Sequence, residues 1–318
     1  MVSTVGPPGE GVRTPYSALP PVVHDWVDEL LGSPVVSAGT RAGGFSPGVA
    51  AVVACADGRT AFVKAVSGDA NPVSPEMHRR EALAAAALPA SVPAPRLLGV
   101  YDDGTWVALA FEAVAGEQPR LPWSAGDLDR VLRMLARLTD DLTPSPWRQA
   151  PELAERMGRA FSGWRRLAAG GVPAGLDDWS RRHLDALAEL EAGWEAAAAG
   201  TTLLHHDVRA DNLLLDGERV WLVDWPAASV GAAWIDVALF APSVAMQGGP
   251  PPEELLGRSA AARTADPAAI TAYVAAIAGY LTRQSLLPAP AGLPTVRAFQ
   301  AAQAEITRAW LAERTGWR

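Results

Sequence analysis

The sequence predicts an α+β protein in two lobes, a small β-rich lobe with one long helix followed by a larger, mainly helical one. Three observations carry that expectation. Between residues 35 and 114, short apolar stretches of β type alternate with Gly and Asp-Gly punctuation, and one long helical stretch lies among them. From Ser124 onward helical periodicity dominates. One β-like block at 201–224 interrupts that helical half. Within it, LLHHDVRADNLLLDGERVWLVDW (203–225) sets two histidines and four aspartates among leucines and valines. Charged side chains are rarely buried unless paired or coordinated, so this block is where a reactive site is expected.

Taken in order, residues 1–20 carry Gly, Pro and Ser without periodicity and read as a flexible leader. VVHDWVDELL (22–31) places Val23, Trp26, Val27, Leu30 and Leu31 on one helical face, with Ser33 and Pro34 ending the helix. VVSAG, VAAVVA and TAFVKAV are expected strands, the last two joined by a hairpin at Asp57-Gly58. SPEMHRREALAAAAL (74–88) is a helix opened by Ser74, with Pro75 at its first position. RLLGVY and TWVALAFEAV follow as strands turning at Asp102, Asp103 and Gly104. These elements form a first lobe over 21–115. The second lobe, 116–318, holds expected helices at 124–142, about 150–169, about 177–198, about 232–246, 267–286 and 294–316. No internal repeat is visible, and a ligand cleft is expected between the lobes.

Composition narrows the function. With 318 residues, 49% hydrophobic and 19% charged, the chain is long enough for two packed lobes. A net charge of −8 excludes binding that depends on neutralising a nucleic-acid backbone. The single cysteine, Cys55, excludes an intramolecular disulfide and a cysteine-built zinc site, and its apolar neighbours make it a core residue. No signal-peptide pattern and no membrane-length apolar run is present, so a cytoplasmic protein is expected, without membrane partners. Alanine-rich stretches and the preference for Arg over Lys point to a bacterial source.

The block at 203–225 divides into a strand ending at His205 or His206 and a hairpin turning at Asp216-Gly217. Asp207 and Asp224 then fall just beyond strand ends, and Asn212 opens the first hairpin strand. Asp207, Asn212 and Asp224 are hard oxygen donors suited to Mg²⁺. Asp216 is expected to be a turn residue and Asp211 peripheral. The spacing His205-x-Asp207-x-x-x-x-Asn212, followed by an Asp after an apolar strand, fits the catalytic-loop pattern of kinases.

Here the chain resembles a known family. HHDVRADN in the place of HRDxxxxN, VDW in the place of DFG, the GGFSPG loop and AAWIDVALF are similar to the aminoglycoside phosphotransferase-like branch of the protein-kinase fold, over residues 35–245. The resemblance implies a bilobal kinase-like fold and transfer of a γ-phosphoryl group from ATP or GTP to a hydroxyl of a small molecule, with Mg²⁺. It implies Asp207 as base, Asn212 and Asp224 as Mg²⁺ ligands, Arg209 as a cation near the transferring group, and His205 as a brace of the loop. Lys64, in TAFVKAV, is the expected phosphate-binding strand lysine. Glu81 is its expected helix partner, with Glu76 as rival. Gly43, Gly44, Ser46 and Gly48 are the expected phosphate-covering turn, which a plain hairpin turn would resemble. Glu112 and Val114 are expected to offer backbone groups to adenine, and Asp236 to hold the loop backbone.

His206 stands where this family often has Gly and has no assigned part. The acid-rich helical stretch 177–195 would attract a polycationic sugar, although a solvated helix face would look the same. Trp225 and Trp234 are candidates to line the acceptor pocket, while Trp164 and Trp194 read as core. Two other readings remain open: a nucleotide-binding pseudokinase or partner-binding protein, which the intact Lys64, Asp207, Asn212 and Asp224 disfavour, and a protein kinase, disfavoured because no activation segment follows VDW. The acceptor, and the oligomeric state, stay open at this point.

Overall fold

The computed structural model describes residues 6–7, 13–41, 48–69, 73–171, 173–290 and 292–318. Helix α1 (Pro21–Leu31) is followed by strands β1 (Val35–Thr40), β2 (Val49–Cys55) and β3 (Thr60–Ser67), helix α2 (Ser74–Ala87), and strands β4 (Leu97–Asp102) and β5 (Trp106–Glu112). The strands form one antiparallel sheet in the order β1-β2-β3-β5-β4. Helix α1 ends at Gly32, whose left-handed backbone (φ 66°) lets its amide bond back to Asp28 and Glu29, one residue before the expected stop.

Alternation along the strands decides what faces the cleft. Ala61, Val63 and Ala65 of β3 and Ala108 and Ala110 of β5 pack with Val23 and Val27 of α1. The other face buries Val107, Leu109 and Phe111 against Ala82 of α2. Lys64 is on that second face, two residues from Phe62, so the sheet's pleat directs it toward α2. Cys55 is a buried free thiol in the first of these clusters, as its neighbours imply.

The leader expected over 1–20 ends sooner. Tyr16–Ala18 form a 3-10 turn, and Tyr16 and Leu19 are buried with Val23 in the first-lobe core. Apolar side chains just two and five residues before the helix anchor this stretch, which composition alone does not register. Gly6 also donates to the Met246 carbonyl of the second lobe.

The second lobe runs α3 (Ala125–Asp141), α4 (Leu153–Met157), α5 (Gly163–Gly170), α6 (Asp178–Arg182), α7 (Leu184–Ala192), α8 (Trp194–Ala197), β6 (Thr202–Leu204), β7 (Leu213–Asp216), β8 (Arg219–Leu222), β9 (Ser229–Gly231), α9 (Ile235–Met246), α10 (Pro252–Gly257), α11 (Ala260–Thr264), α12 (Pro267–Ser285) and α13 (Val296–Thr315). Its core includes the fully buried Trp164, Trp194, Trp310, Tyr273 and Phe240. Strand β6 pairs with β9, and β7 pairs with β8 around the expected Gly217 turn (φ 55°).

Several helices differ from expectation. The stretch 150–169 is broken between α4 and α5. The side chain of Glu191, on α7, accepts the amides of Trp164 (3.0 Å) and Arg165 (3.1 Å), so a distant residue caps a new helix start. The stretch 177–198 divides into α6, α7 and α8 at His183 and Gly193. Helices α10 and α11 were not expected, although Pro252 at a first helical position and the Ser259 cap of Ala262 are local start signals. Strand β9 is three residues long, too short for a period to show. Among the described residues, no helix is long and apolar enough to cross a membrane.

Candidate active site

Strand β3, helix α2 and the end of β8 converge on one ion cluster. Lys64 Nζ donates to Glu81 Oε1 at 2.7 Å and to Asp224 Oδ1 at 2.6 Å. Glu81 is 4% exposed, whereas Glu76 lies on the outer face and pairs with Arg80 at 3.0 Å. The helix period therefore decides between the two rivals: Glu81 shares the inward face with His78, three residues earlier. Burial works to lower the Lys64 ammonium, but Asp224 and Glu81 outweigh it and hold it charged, above its ordinary range. Burial pushes Glu81 up. Burial would raise Asp224 too, yet Lys64 beside it holds that carboxyl below the usual carboxylate range.

The loop after β6 is held from two sides. The Asp236 carboxylate accepts the amides of His205 (2.9 Å) and His206 (2.8 Å), the scaffolding contact expected of it. Its burial raises its own pKa to about 6 against those two hydrogen bonds. His205 Nδ1 accepts the Asp207 amide at 3.2 Å, so the proton sits on Nε2, which donates to the Val223 carbonyl at 3.0 Å. Burial lowers this imidazole to about 4 and keeps it neutral, as that pairing requires. His205 thereby ties the amide of Asp207 to the strand exit that precedes Asp224. The Val223 amide donates in turn to the Asn212 carbonyl at 2.9 Å.

Asp207 and Asn212 are joined directly. Asn212 Nδ2 donates to the Asp207 main-chain oxygen at 2.8 Å and to Oδ2 at 3.2 Å. Arg209 Nη1 donates to Asp207 Oδ1 at 2.7 Å. Burial raises the Asp207 carboxyl to about 7, with Arg209 opposing the rise; its side chain still keeps 31% of its surface open. Arg209 also binds both oxygens of Asp211 at 2.9 Å, so Asp211 is the second anchor of Arg209 rather than a peripheral residue.

Between the lobes lies a cavity of about 450 Å³, lined by Lys64, Glu81, Asn212, Asp224, Glu112 and Val114 among others. Gly48, just before β2, has φ 107°, and a Cβ there would meet the Ala65 carbonyl oxygen at 2.6 Å, so only glycine fits. Gly43, Gly44 and Ser46 lie outside the described residues. The Glu112 amide donates to the Arg96 carbonyl at 2.9 Å.

Residues 40–273 match the family described as the phosphotransferase enzyme family. The chain belongs to that family. Solved structures agree on the protein-kinase-like fold. A thermostable mutant of aminoglycoside phosphotransferase APH(4)-Ia, in a ternary complex with ADP and hygromycin B, is similar with a TM-score of 0.59 and 16% identity, covering 90% of this chain and 98% of that one. Spectinomycin phosphotransferase APH(9)-Ia, in complex with ADP and spectinomycin, matches at 0.59 and 12%, covering 93% and 100%. Choline kinase LicA from Streptococcus pneumoniae matches at 0.61 and 12%, covering 92% and 98%. No curated protein sequence matches the chain.

In this phosphotransferase the donor set fits Mg²⁺. Among the described residues, no group of three His, Cys, Asp or Glu side chains could hold a metal by itself. Asn212 and Asp224 offer two hard oxygen ligands at the cavity wall, and Mg²⁺ is commonly held by one or two side chains with substrate phosphates completing its shell.

Two features of this family member escaped sequence reasoning. His206 adopts a left-handed backbone (φ 57°) that glycine adopts freely, and its Nε2 lies 2.9 Å from the Tyr273 hydroxyl in the second-lobe core. The turn is kept while the side chain becomes a core residue, which only the long-range contact reveals. His78 lines the cavity, with burial and then Lys64 lowering it to about 4. Its place three residues before Glu81 was the available signal. Trp225 lines the cavity and packs edge-on to His205, while Trp234, the other acceptor-pocket candidate, is buried against Tyr273 and is not among the residues lining that cavity.

Proposed function

We propose that the protein transfers the γ-phosphoryl group of ATP or GTP to a hydroxyl of a small molecule. The observation that carries this reading is the cavity lined by Lys64, Glu81, Asn212 and Asp224, with Asp207 hydrogen-bonded to Asn212. Phosphoryl transfer asks mainly for positioning and charge neutralisation, which these groups supply. The acceptor oxygen bonds to the γ-phosphorus, the bond to the β–γ bridging oxygen breaks, and the hydroxyl proton passes to Asp207. Its raised pKa suits a base working near neutral pH. Lys64, oriented by Glu81, would hold the donor phosphates. Arg209 donates through Nε, Nη1 and Nη2 to Asp207 and Asp211, which supports a part in holding the base. Mg²⁺, bound by Asn212 and Asp224, would neutralise phosphate charge.

The acceptor is a small-molecule alcohol, and aminoglycosides and other antibiotics fall within that class. The named ligands of the similar phosphotransferases support antibiotic modification as one form of it. Asp177 of the acid-rich stretch pairs with Arg308 at 3.1 Å, and Glu191 is buried against Arg165, which weakens the case for an acidic attractor there.

A panel of alcohols, aminoglycosides included, incubated with ATP and Mg²⁺ tests the proposal by ADP release and by mass spectrometry of the phosphorylated product. Transfer to a small molecule that is lost in Asp207→Ala supports it. Nucleotide binding without transfer to any acceptor would favour the pseudokinase reading, and phosphate found only in a protein substrate would favour a protein kinase.

A further inference from the structure

The segment before α1 brings an arginine into the cleft. Residues Arg13 and Gly48 form a parallel bridge, and the Thr14 amide donates to the Gly48 carbonyl at 3.1 Å. Three residues on, Tyr16 is buried in the first-lobe core, so the segment is fixed just after this contact. Gly48 directly precedes β2. The next residues, Val49 and Ala50, pair with Ala65 and Lys64. Arg13 is thereby clipped at the sheet end that carries Lys64, and its side chain lines the same cavity as Lys64, Asn212, Asp211 and Asp224. Burial lowers the Arg13 guanidinium from its ordinary value, and the Asp224 and Asp211 carboxylates oppose that fall. The cluster of Lys64, Glu81 and Asp224 holds one cation for two carboxylates. A triphosphate entering the cavity would add several negative charges beside them.

We propose that Arg13 is a phosphate-binding residue of the nucleotide site, supplied by the segment that precedes the first helix. Its planar guanidinium can meet two phosphate oxygens at once, which a point-charge lysine cannot. The proposal rests on the nucleotide-site reading above. It adds a contact that neither the catalytic loop nor the strand lysine provides.

Direct binding tests it without reference to turnover. Titration calorimetry compares adenosine, ADP and the non-hydrolysable ATP analogue AMP-PNP, the latter two with Mg²⁺, on wild type, Arg13→Ala, Arg13→Gln and Arg13→Lys. Loss of a charge-assisted contact is expected to weaken AMP-PNP binding about tenfold or more in Arg13→Ala and Arg13→Gln. Adenosine affinity should be unchanged, which also reports that the cavity is folded, and Arg13→Lys should fall between. Unchanged AMP-PNP affinity in Arg13→Ala and Arg13→Gln overturns the proposal. Tighter AMP-PNP binding in those variants overturns it too, and shows Arg13 to be a plug that nucleotide must displace. A wild-type protein that binds neither adenosine and AMP-PNP nor guanosine and GMP-PNP refutes the nucleotide-site reading itself, and this proposal with it.

Discussion

Lys64 and Asp224, 160 residues apart in the chain, meet in a 2.6 Å ion pair that joins the β-rich lobe to the catalytic-loop lobe. The same ammonium holds Glu81 of α2, so a single side chain ties sheet, helix and loop. On the proposed reading, Lys64 would turn to donor phosphates and Asp224 to a cation, so this pair would open when substrate binds.

Removing Lys64 separates these roles. Lys64→Met leaves the 4%-exposed Glu81 and the partly exposed Asp224 facing each other without a cation. A loss of about 3 kcal/mol in stability is expected, since one partner of a buried ion pair has gone. The double variant Lys64→Met/Glu81→Leu should recover part of that loss but none of the phosphoryl transfer. Urea melts alongside an ADP-release assay check both, and equal stability of single and double variants would contradict the account.

Asp207→Asn removes the proposed proton acceptor while keeping the shape of the side chain. Turnover should fall by roughly 10²–10⁴-fold, the usual weight of a general base, with nucleotide affinity within about twofold of wild type. Single-turnover kinetics and calorimetry measure the two quantities. A parallel loss of nucleotide binding would move Asp207 from chemistry to binding.

The pH dependence follows from the same carboxyl. A base acts ionised, and the Asp207 pKa is raised to about 7, so kcat/KM should climb with pH below about 7 and level off above it. Arg209 opposes that rise, so Arg209→Gln should move the acid limb to higher pH. Stability runs the other way. A carboxyl with its folded pKa raised contributes fully below the ordinary Asp value, and that contribution is lost as pH rises through about 7. Profiles of kcat/KM and of melting temperature from pH 5 to 9 test both signs.

Tyr273→Phe removes only the hydroxyl beside His206 Nε2. A cost of about 1 kcal/mol is expected from one hydrogen-bond partner left in the core. The loop position should survive, because Asp236 still holds both amides. Denaturant titration should show the loss while kcat stays within about twofold. A large fall in kcat would make the His206–Tyr273 contact part of the positioning of Asp207.

Asn212→Ala and Asp224→Ala should raise the Mg²⁺ concentration needed for half-maximal nucleotide binding, most in Asp224→Ala, where a charge is lost. Mg²⁺ titrations monitored by nucleotide fluorescence measure this. Identical Mg²⁺ dependence in wild type and both variants would remove these residues from the metal site.

The sequence by itself determined the two-lobe order, the sheet strands, the Asp57-Gly58 and Gly217 turns, and the residues around His205, Asp207, Asn212 and Asp224. Strand alternation, turn chemistry and the spacing within one short loop are local, so a linear pattern carries them. Tertiary structure alone decided which acid partners Lys64, because Glu76 and Glu81 differ in the helix face that packs. It decided the new helix start at Gly163, which Glu191 caps from another helix, and the anchoring of His206 by Tyr273, 67 residues away. It also turned Asp211 into a support for Arg209 and brought Arg13 from an expected leader into the cleft. Each of these depends on burial and on pairings between distant segments. Such contacts form only when the lobes pack, and no local period encodes them.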